Sequence, residues 1–363
     1  MLHVVILAGG SGTRLWPASR VAKPKHLLVF EEQKTLLQAT LERVASIVPP
    51  DQTWIVTSKA QVAQLTALLP HFDRRHILVE HVAKNTAASI GWAAVKLRHI
   101  DPNAVMVVLP ADHIIKPAST FCETLKSAAD IVKKSPETLV TIGVTPTFPA
   151  TSYGYIQRGD RLKTRKCTAY HVRLFCEKPK QEIAEQFYQS GDYYWNAGIF
   201  VWKAKTILDL LCRFEPEDIG FWLGQITQAL DTVEETFVAG LAFKGMKSIS
   251  IDYAVMERAE NVVVMEATFE WNDVGTWSAL DRLYAEQKDK RGNLAVSSQV
   301  LAIDSTGCTV RCEDSEHLVA LVGLNDVVVI QTADATLIAR KDQEESVRRI
   351  AEELKKRKDS RWS

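Results

Sequence analysis

Short apolar runs alternate with longer amphipathic segments over most of the chain. The first run, at residues 4–7, is continuously apolar, as expected for a strand that is covered on both faces. Further apolar runs lie at residues 53–57, 76–82, 104–109 and 139–144, and segments with helical spacing lie at 36–48, 61–69, 86–99 and 121–132. This order predicts parallel strands joined by right-handed crossovers, and therefore a doubly wound, mostly parallel sheet of the α/β class.

The pattern changes from about residue 292. Short strand-like runs follow one another at residues 300–303, 309–312, 318–322, 327–332 and 336–340, and no helical segment fits between them. A last segment from about residue 343 has helical spacing, with Val347, Ile350 and Leu354 on one face. We therefore predict an α/β domain at residues 1–290 and, at residues 291–363, a small all-β appendage with a terminal helix.

Composition and charge narrow the classes of function. The chain has 44 Lys and Arg residues against 44 Asp and Glu residues, and its pI is about 7.1. A non-specific nucleic-acid binder needs an excess of basic side chains, so this balance argues against that class. No apolar run approaches the length of a membrane span, and the N-terminus lacks a secretory pattern. We expect a cytoplasmic protein with no nucleic-acid and no membrane partner.

A glycine-rich segment, Leu7-Ala8-Gly9-Gly10-Ser11-Gly12-Thr13-Arg14, follows the first predicted strand. Glycines at this place let the backbone approach an anion closely and turn its N–H groups toward it. The segment is neither of two familiar phosphate loops, because Leu15 stands where a dinucleotide fingerprint needs glycine, and no Gly-Lys pair of a Walker A loop is present. Arg14 and the downstream Lys25 supply positive charge, so we predict a phosphate site of another type.

Two aspartates follow apolar runs near this loop in the predicted fold. Asp112 comes just after the strand-like run at 104–109, and Asp273 follows the run at 262–265. A single aspartate in such a place is usually a turn or cap residue. Magnesium, however, prefers a few carboxylate oxygens together with water and substrate phosphates. We expect the two aspartates to lie on adjacent strand ends and to bind Mg²⁺.

At these motifs the chain resembles the sugar-1-phosphate nucleotidyltransferase family. The stretch L-A-G-G-S-G-T-R-L-W-P-x-S-R with a following P-K matches the family signature, and its L-W-P variant is similar to the branch that uses guanine nucleotides and mannose 1-phosphate. The resemblance implies a Rossmann-like nucleotidyltransferase fold with a β-helix-like appendage. It also implies transfer of GMP from GTP to α-D-mannose 1-phosphate, giving GDP-mannose and pyrophosphate, with Mg²⁺ as cofactor.

The resemblance also implies roles for particular residues. The L-P-A-D-H and W-x-D-V-G segments correspond to the family's metal-binding segments, with Asp112 and Asp273 as ligands, and Arg14 and Lys25 join them as catalytic residues. Taken alone, Glu177-Lys178 reads as a surface ion pair, and Asn85 or Thr86 as a helix cap. Within the family, the sugar phosphate is bound by Gly154, Glu177, Lys178, Asn196 and Asp273, and the nucleotide by Leu7, Ala8, Gly9, Gly10, Ser11, Gly12, Thr13, Arg14, Lys25, Asn85, Thr86, Pro110 and Asp112. Asp252, in a further shared segment, receives no chemical role.

Other functions remain open from the residues alone. A nucleotidyltransferase for another hexose 1-phosphate or another nucleoside triphosphate would need the same phosphate and metal residues. A non-catalytic regulatory relative would be expected to lack one of the charged residues that this chain retains. The chain ends at Ser363 without the histidine cluster of an isomerase domain, so we expect transferase activity only. Family members suggest a homodimer through the appendage.

Overall fold

The computed structural model describes residues 1–10, 12–31, 33–164, 167–357 and 361–362. It divides the chain into two compact units. The first, which we call the sheet unit, comprises Met1–Gly9, Thr40–Ala111 and Ile115–Trp271. The second, which we call the appendage unit, comprises Gly10–Ala39, Asp112–Ile114 and Asn272–Ser363.

Strands and helices alternate through the first two thirds of the chain, and short strands follow. The strands are β1 Leu2–Ala8, β2 Val29–Glu31, β3 Lys34–Thr35, β4 Thr53–Ser58, β5 Ile77–Glu80, β6 Val105–Pro110, β7 Ile114–Lys116, β8 Leu139–Val144, β9 Tyr155–Arg161, β10 Ala169–Cys176, β11 Tyr193–Lys203, β12 Val262–Glu266, β13 Glu270–Asn272, β14 Leu294–Val296, β15 Gln299–Ile303, β16 Thr309–Cys312, β17 Leu318–Val322, β18 Val327–Gln331 and β19 Thr336–Arg340. The α-helices are α1 Leu36–Val44, α2 Val62–Leu68, α3 Asn85–Ile100, α4 Ala118–Lys134, α5 Gln181–Ser190, α6 Ala204–Phe214, α7 Phe221–Ala229, α8 Glu235–Gly245, α9 Ala279–Leu283 and α10 Arg348–Lys356.

One large sheet organises the sheet unit. Among the described residues its nine strands lie in the order β5-β4-β1-β6-β11-β8-β12-β10-β9. The strands β5, β4, β1 and β6 are parallel, as the alternation of strands and helices predicts. Val5, Met106 and Val108 on one face pack with residues of α3 and α6, while α4 contacts β6, β8 and β11. The predicted α/β class is confirmed.

The second half of the sheet is mixed, which the sequence pattern does not predict. The long strand β11 runs antiparallel to β6, β8 and β9, and β10 runs antiparallel to β9 and β12. An apolar run has the same composition in either direction, so its spacing cannot report the orientation of a strand. The topology also corrects a second expectation. The apolar runs that the sequence analysis places before Asp112 and Asp273 are the strands β6 and β12, and these are not adjacent, because β11 and β8 lie between them. The short strand β13 separates β12 from Asp273.

The appendage unit joins the glycine-rich loop region to the C-terminal part of the chain. Strands β14, β16 and β18 are parallel, β15 is parallel to β17, and β19 closes the larger sheet antiparallel to β18. Leu15, Leu28 and Trp277 share one buried core with residues of β18 and β19. The indole N–H of Trp277 donates a hydrogen bond to the Trp16 carbonyl oxygen at 3.0 Å. The segment that follows β1 is therefore held by the C-terminal part of the chain.

No helix among the described residues has both the length and the apolar character needed to cross a membrane.

Candidate active site

The sheet unit brings four nucleotide-site candidates to the carboxyl ends of two neighbouring strands. Leu7 in β1 pairs in register with Pro110 in β6, and the Leu7 carbonyl oxygen accepts a hydrogen bond from the Ala111 N–H at 3.1 Å. The carbonyl oxygen of Ala8 accepts from the Thr57 hydroxyl at 2.9 Å, and Gly9 follows directly. In parallel sheets ligands bind at this edge. Ser11, which the sequence also predicts for the nucleotide site, lies outside the described residues.

In the appendage unit a lysine lies against both predicted metal ligands. The Lys25 ammonium is 2.8 Å from the Asp112 carboxylate, and it donates a hydrogen bond to the backbone carbonyl oxygen of Asp273. The Lys25 side chain is only 9% exposed, whereas that of Asp112 is 31% exposed. Two aspartates that are far apart in sequence are thus in contact with one lysine ammonium group. The structure brings these three residues together, and their roles in binding metal and nucleotide stay predictions.

The surroundings of Asp112 favour its ionised form. Burial alone would raise the pKa of Asp112, but the Lys25 ammonium, with contributions from His113 and His26, holds the pKa below its usual value. Burial lowers the pKa of His26 to about 4, against the opposing effect of Asp112. His26 is therefore neutral near pH 7, and Lys25 is the main positive neighbour of this carboxylate.

A tight turn presents the Asp273 side chain. The Asp273 carboxylate accepts a hydrogen bond from the Gly275 N–H at 3.2 Å, and the Asn272 side chain accepts one from the Val274 N–H at 2.8 Å. A Cβ atom at position 275 would lie 2.6 Å from Asp273 Oδ2, so a side chain there would displace the Asp273 carboxylate from its present position. Val274 is fully buried and has φ of 46°, which a β-branched residue rarely adopts.

Positive φ angles recur at other candidate residues. Asn85 has φ of 65° and Lys178 has φ of 50°. Such conformations cost on the order of 1–3 kcal/mol each and persist only where the surrounding structure imposes them. Positive φ angles also occur outside the candidate site, at Gln33, Asp231, Ser297, Asp304 and Asp326, so this conformation alone does not identify a ligand site.

The remaining loop residues show close packing and an unexpected ion pair. Gly12 has φ of 64°, and a Cβ atom there would lie 2.4 Å from the Cβ atom of Lys25. Thr13 begins a short 3₁₀ turn that also contains Arg14. The Arg14 guanidinium pairs with the Glu345 carboxylate at 3.0 Å, with both side chains well exposed. Glu345 is not identifiable from the sequence, because nothing in the terminal segment signals a contact with the loop.

The sugar-site candidates of the sheet unit form a compact cluster. The Lys178 ammonium lies 2.5 Å from the Glu177 carboxylate, and the Glu177 side chain is only 6% exposed. A Cβ atom at position 154 would lie 2.4 Å from Glu177 Oε2 and 3.3 Å from the Cβ atom of Asn196. The Asn196 N–H donates to the Gly154 carbonyl oxygen at 2.8 Å. Four predicted residues are therefore neighbours, and the ion pair of Glu177 with Lys178 is part of that cluster.

The base-site candidates begin helix α3. The Asn85 side-chain oxygen accepts a hydrogen bond from the Thr86 N–H at 2.8 Å. The Thr86 hydroxyl accepts one from the Ile251 N–H at 2.8 Å, so Thr86 fixes another segment and does not cap its own helix. A buried carboxyl group, Glu80, ends β5 nearby and accepts a hydrogen bond from the Ser89 hydroxyl. Burial raises the pKa of Glu80. No local motif selects this residue, since its burial depends on the packing of α3.

The donor set for a metal ion is small. Among the described residues no group of three or more His, Cys, Asp and Glu side chains is arranged to hold a metal ion. Two carboxylates with substrate phosphate and water would nevertheless suit Mg²⁺, which seldom takes all its ligands from protein.

Comparisons with known proteins agree over almost the entire chain. Residues 3–290 match a family model described as nucleotidyl transferase, and residues 298–354 match one described as a MannoseP isomerase/GMP-like beta-helix domain. A mannose-1-phosphate guanylyltransferase of Salmonella montevideo is 35% identical over 98% of this chain and 74% of its own length. A second one, from Salmonella typhimurium, is 37% identical over 98% of this chain and 73% of its own length.

A solved structure is also similar over the whole length. It is described as a mannose-1-phosphate geranyltransferase from Thermus thermophilus, with a TM-score of 0.85 and 32% identity. The match covers 98% of this chain and 99% of that chain. The α/β architecture and the small β appendage are thus shared with a solved structure.

Proposed function

Because the chain belongs to the nucleotidyl transferase family and has mannose-1-phosphate guanylyltransferases among its relatives, we propose that it transfers GMP from GTP to α-D-mannose 1-phosphate. The products are GDP-mannose and pyrophosphate. The relatives supply the identity of the substrates. The observation that carries the type of reaction is the position of Lys25 against Asp112 and Asp273. The lysine offers a cation to a substrate phosphate and the two aspartates would offer ligands to a divalent cation, and two polyanionic substrates need both to come together.

In the proposed reaction an oxygen of the sugar phosphate attacks the α-phosphorus of GTP in line. A new bond forms between this oxygen and the phosphorus, while the bond from the α-phosphorus to the bridging oxygen breaks and pyrophosphate leaves. No protein nucleophile is needed, since the attacking group is already an anion. Arg14, Lys25 and the backbone N–H groups of residues 9–13 hold the triphosphate and balance the negative charge that develops.

The sugar phosphate is assigned to the cluster in the sheet unit. Glu177 accepts hydrogen bonds from sugar hydroxyls, and the Lys178 ammonium binds the phosphate as a point charge. Gly154 allows the sugar to lie close to the backbone, and Asn196 contributes an amide. Asp273 is also predicted from the sequence as a sugar-phosphate ligand, and we retain this as part of the proposal.

Asp112 and Asp273 would hold Mg²⁺. Their fit to a cation is supported by Lys25, whose ammonium lies at the Asp112 carboxylate and at the Asp273 carbonyl oxygen. When bound, the ion neutralises charge on the reacting phosphates.

The cytoplasmic location and the division into domains 1–290 and 291–363 are also proposals. The two matched family models, at residues 3–290 and 298–354, support the division.

We predict that GTP and mannose 1-phosphate form the best substrate pair. The measurement is pyrophosphate release with four nucleoside triphosphates, each combined with several hexose 1-phosphates, and the expected result is the highest kcat/KM for GTP with mannose 1-phosphate. A higher value for another pair would contradict the substrates and leave the reaction type standing. Binding of GDP-mannose without pyrophosphate release from any pair would instead favour a regulatory protein.

A substitution at Gly154 tests the sugar cluster. In Gly154→Ala the new methyl group would meet Glu177 Oε2 at 2.4 Å, so the cluster must shift. Overpacking costs about 1–3 kcal/mol, and we expect the KM for mannose 1-phosphate to rise roughly ten- to a hundredfold. The KM for GTP should change by less than about twofold.

The matched control is Gly224→Ala in helix α7, where the added methyl group meets no atom within 4 Å. Both KM values should remain at the wild-type level in this variant. An unchanged KM for mannose 1-phosphate in Gly154→Ala would remove this cluster from the sugar site.

A further inference from the structure

The side-chain amide of Asn196 is held at both ends. Its oxygen accepts hydrogen bonds from the Gly198 N–H and from the Thr141 hydroxyl, each at 3.1 Å. Its nitrogen donates to Asp252 Oδ1 at 2.9 Å. These contacts fix which end of the amide points in each direction. A fixed amide presents a defined donor to a ligand, so the group that accepts from the nitrogen matters for the site.

That group, Asp252, lies in the charged surroundings of the sugar cluster. The titratable groups near it are Glu177 and Lys178 from the turn after β10, Tyr253 on the short helical turn Asp252–Met256, and Glu257 directly after that turn. The Glu257 carboxylate accepts a hydrogen bond from the Glu177 N–H at 2.8 Å, and the Tyr253 hydroxyl donates to the Glu177 carbonyl oxygen at 3.4 Å. The turn that begins at Asp252 therefore also holds the Glu177-Lys178 turn.

The residues before Asp252 reach the first turn of α3. The Ile251 N–H donates to the Thr86 hydroxyl at 2.8 Å, and the Ala87 N–H donates to the Ile249 carbonyl oxygen at 3.2 Å. Residues 249–252 thus connect the candidate base site, at the start of α3, with the candidate sugar site around Asn196. Both ends of the connection lie within the sheet unit.

We propose that Asp252 is a positioning residue for the sugar phosphate: its carboxyl group fixes the Asn196 amide and is anchored to the start of helix α3 through residues 249–252. This proposal rests on the proposed function, because it assigns Asp252 to the sugar side of that reaction. Asp252 acts indirectly. It orients the Asn196 amide, and its charge changes how strongly the Lys178 ammonium attracts a phosphate.

The ionisation of Asp252 predicts the direction in which the KM for mannose 1-phosphate changes with pH. Burial, followed by the Glu177 carboxylate, raises the pKa of Asp252 to about 7, and the Lys178 ammonium opposes this rise. Below this pH the Asp252 carboxyl group is neutral, and the opposite charges of the Glu177-Lys178 ion pair balance each other. Above it the added negative charge weakens the attraction of Lys178 for a phosphate. The KM for mannose 1-phosphate should therefore increase as the pH rises from 6 to 8, while the KM for GTP should not follow it.

Two variants of Asp252 separate the hydrogen bond from the charge. Asp252→Asn keeps an oxygen that accepts from Asn196 but removes the titration. We expect its KM for mannose 1-phosphate at pH 6 to stay within about twofold of the wild-type value, and its rise between pH 6 and 8 to be lost. Asp252→Ala removes both the acceptor and the titrating group, so its KM should lie about tenfold above the wild-type value at pH 6 and should lack the wild-type rise between pH 6 and 8. In both variants kcat should stay within about threefold, because neither removes a group that contacts the reacting phosphorus.

The phosphate of the substrate also titrates near pH 6, and it does so equally for all the variants. Asp209→Asn, at an exposed position on α6, is the matched control and should keep the wild-type pH profile. A wild-type rise in KM that persists in Asp252→Asn would overturn the proposal. An equal rise in both KM values for Asp252→Ala would also overturn it, since it would indicate a structural role. Failure of the proposed function is distinguishable, because the wild-type protein would then release no pyrophosphate from this substrate pair.

Discussion

Replacement of Asp273 by asparagine should reduce kcat/KM on the order of a thousandfold while the protein remains folded. Asparagine can still accept the hydrogen bond from the Gly275 N–H, so the turn that presents this side chain should persist. What the variant loses is the negative charge that, in the proposed mechanism, would hold a divalent cation at the reacting phosphates. A thousandfold change corresponds to about 4 kcal/mol of transition-state stabilisation. Pyrophosphate release at saturating Mg²⁺ measures the effect, and thermal unfolding checks the fold.

Asp304→Asn provides the control for this variant. Asp304 also lies in the appendage unit, but its side chain is 83% exposed and its Arg291 partner is 3.8 Å away. An exposed pair of this kind contributes little to stability, so turnover should remain at the wild-type level. Near-wild-type turnover in Asp273→Asn would instead remove Asp273 from the metal site and leave the proposed mechanism without its second acid.

Most secondary structure was predictable because buried strands and amphipathic helices leave a local signature. The run predicted at residues 139–144 is the strand Leu139–Val144, and the segment predicted as a helix at 86–99 is the helix Asn85–Ile100. The direction of β11 was not predictable in this way. It depends on pairing with β6 and β8, which are remote in sequence, and its apolar residues would suit either orientation.

The candidate site shows the same division between local and remote information. Motifs identified Lys25, Asp112 and Asp273, and the structure places them around one ammonium group. Asp252 lies in a segment shared with the family, but the sequence assigns it no role, since its significance arises from a hydrogen bond to Asn196 and from burial near Glu177. Positive φ angles, such as that of Val274, likewise depend on the surrounding fold and not on residue type.

Lys25 and Lys23 allow a direct test of which lysine serves the reaction, because they lie two residues apart in different environments. Lys25 is nearly buried, and its ammonium contacts Asp112 and Asp273. The Lys23 side chain is 53% exposed and pairs with Glu313 at 3.0 Å. In Lys25→Met we expect kcat/KM for GTP to fall about a hundred- to a thousandfold, because the triphosphate loses a fixed positive charge in a partly dry site.

The same substitution should also raise the pKa of Asp112, since the Lys25 ammonium is the principal group that lowers it. Lys23→Met should keep kcat/KM within about twofold of the wild-type value, because an exposed ion pair contributes little. Equal losses in the two variants would show that general surface charge attracts the nucleotide, and a Lys25→Met protein with wild-type activity would exclude Lys25 from the phosphate site.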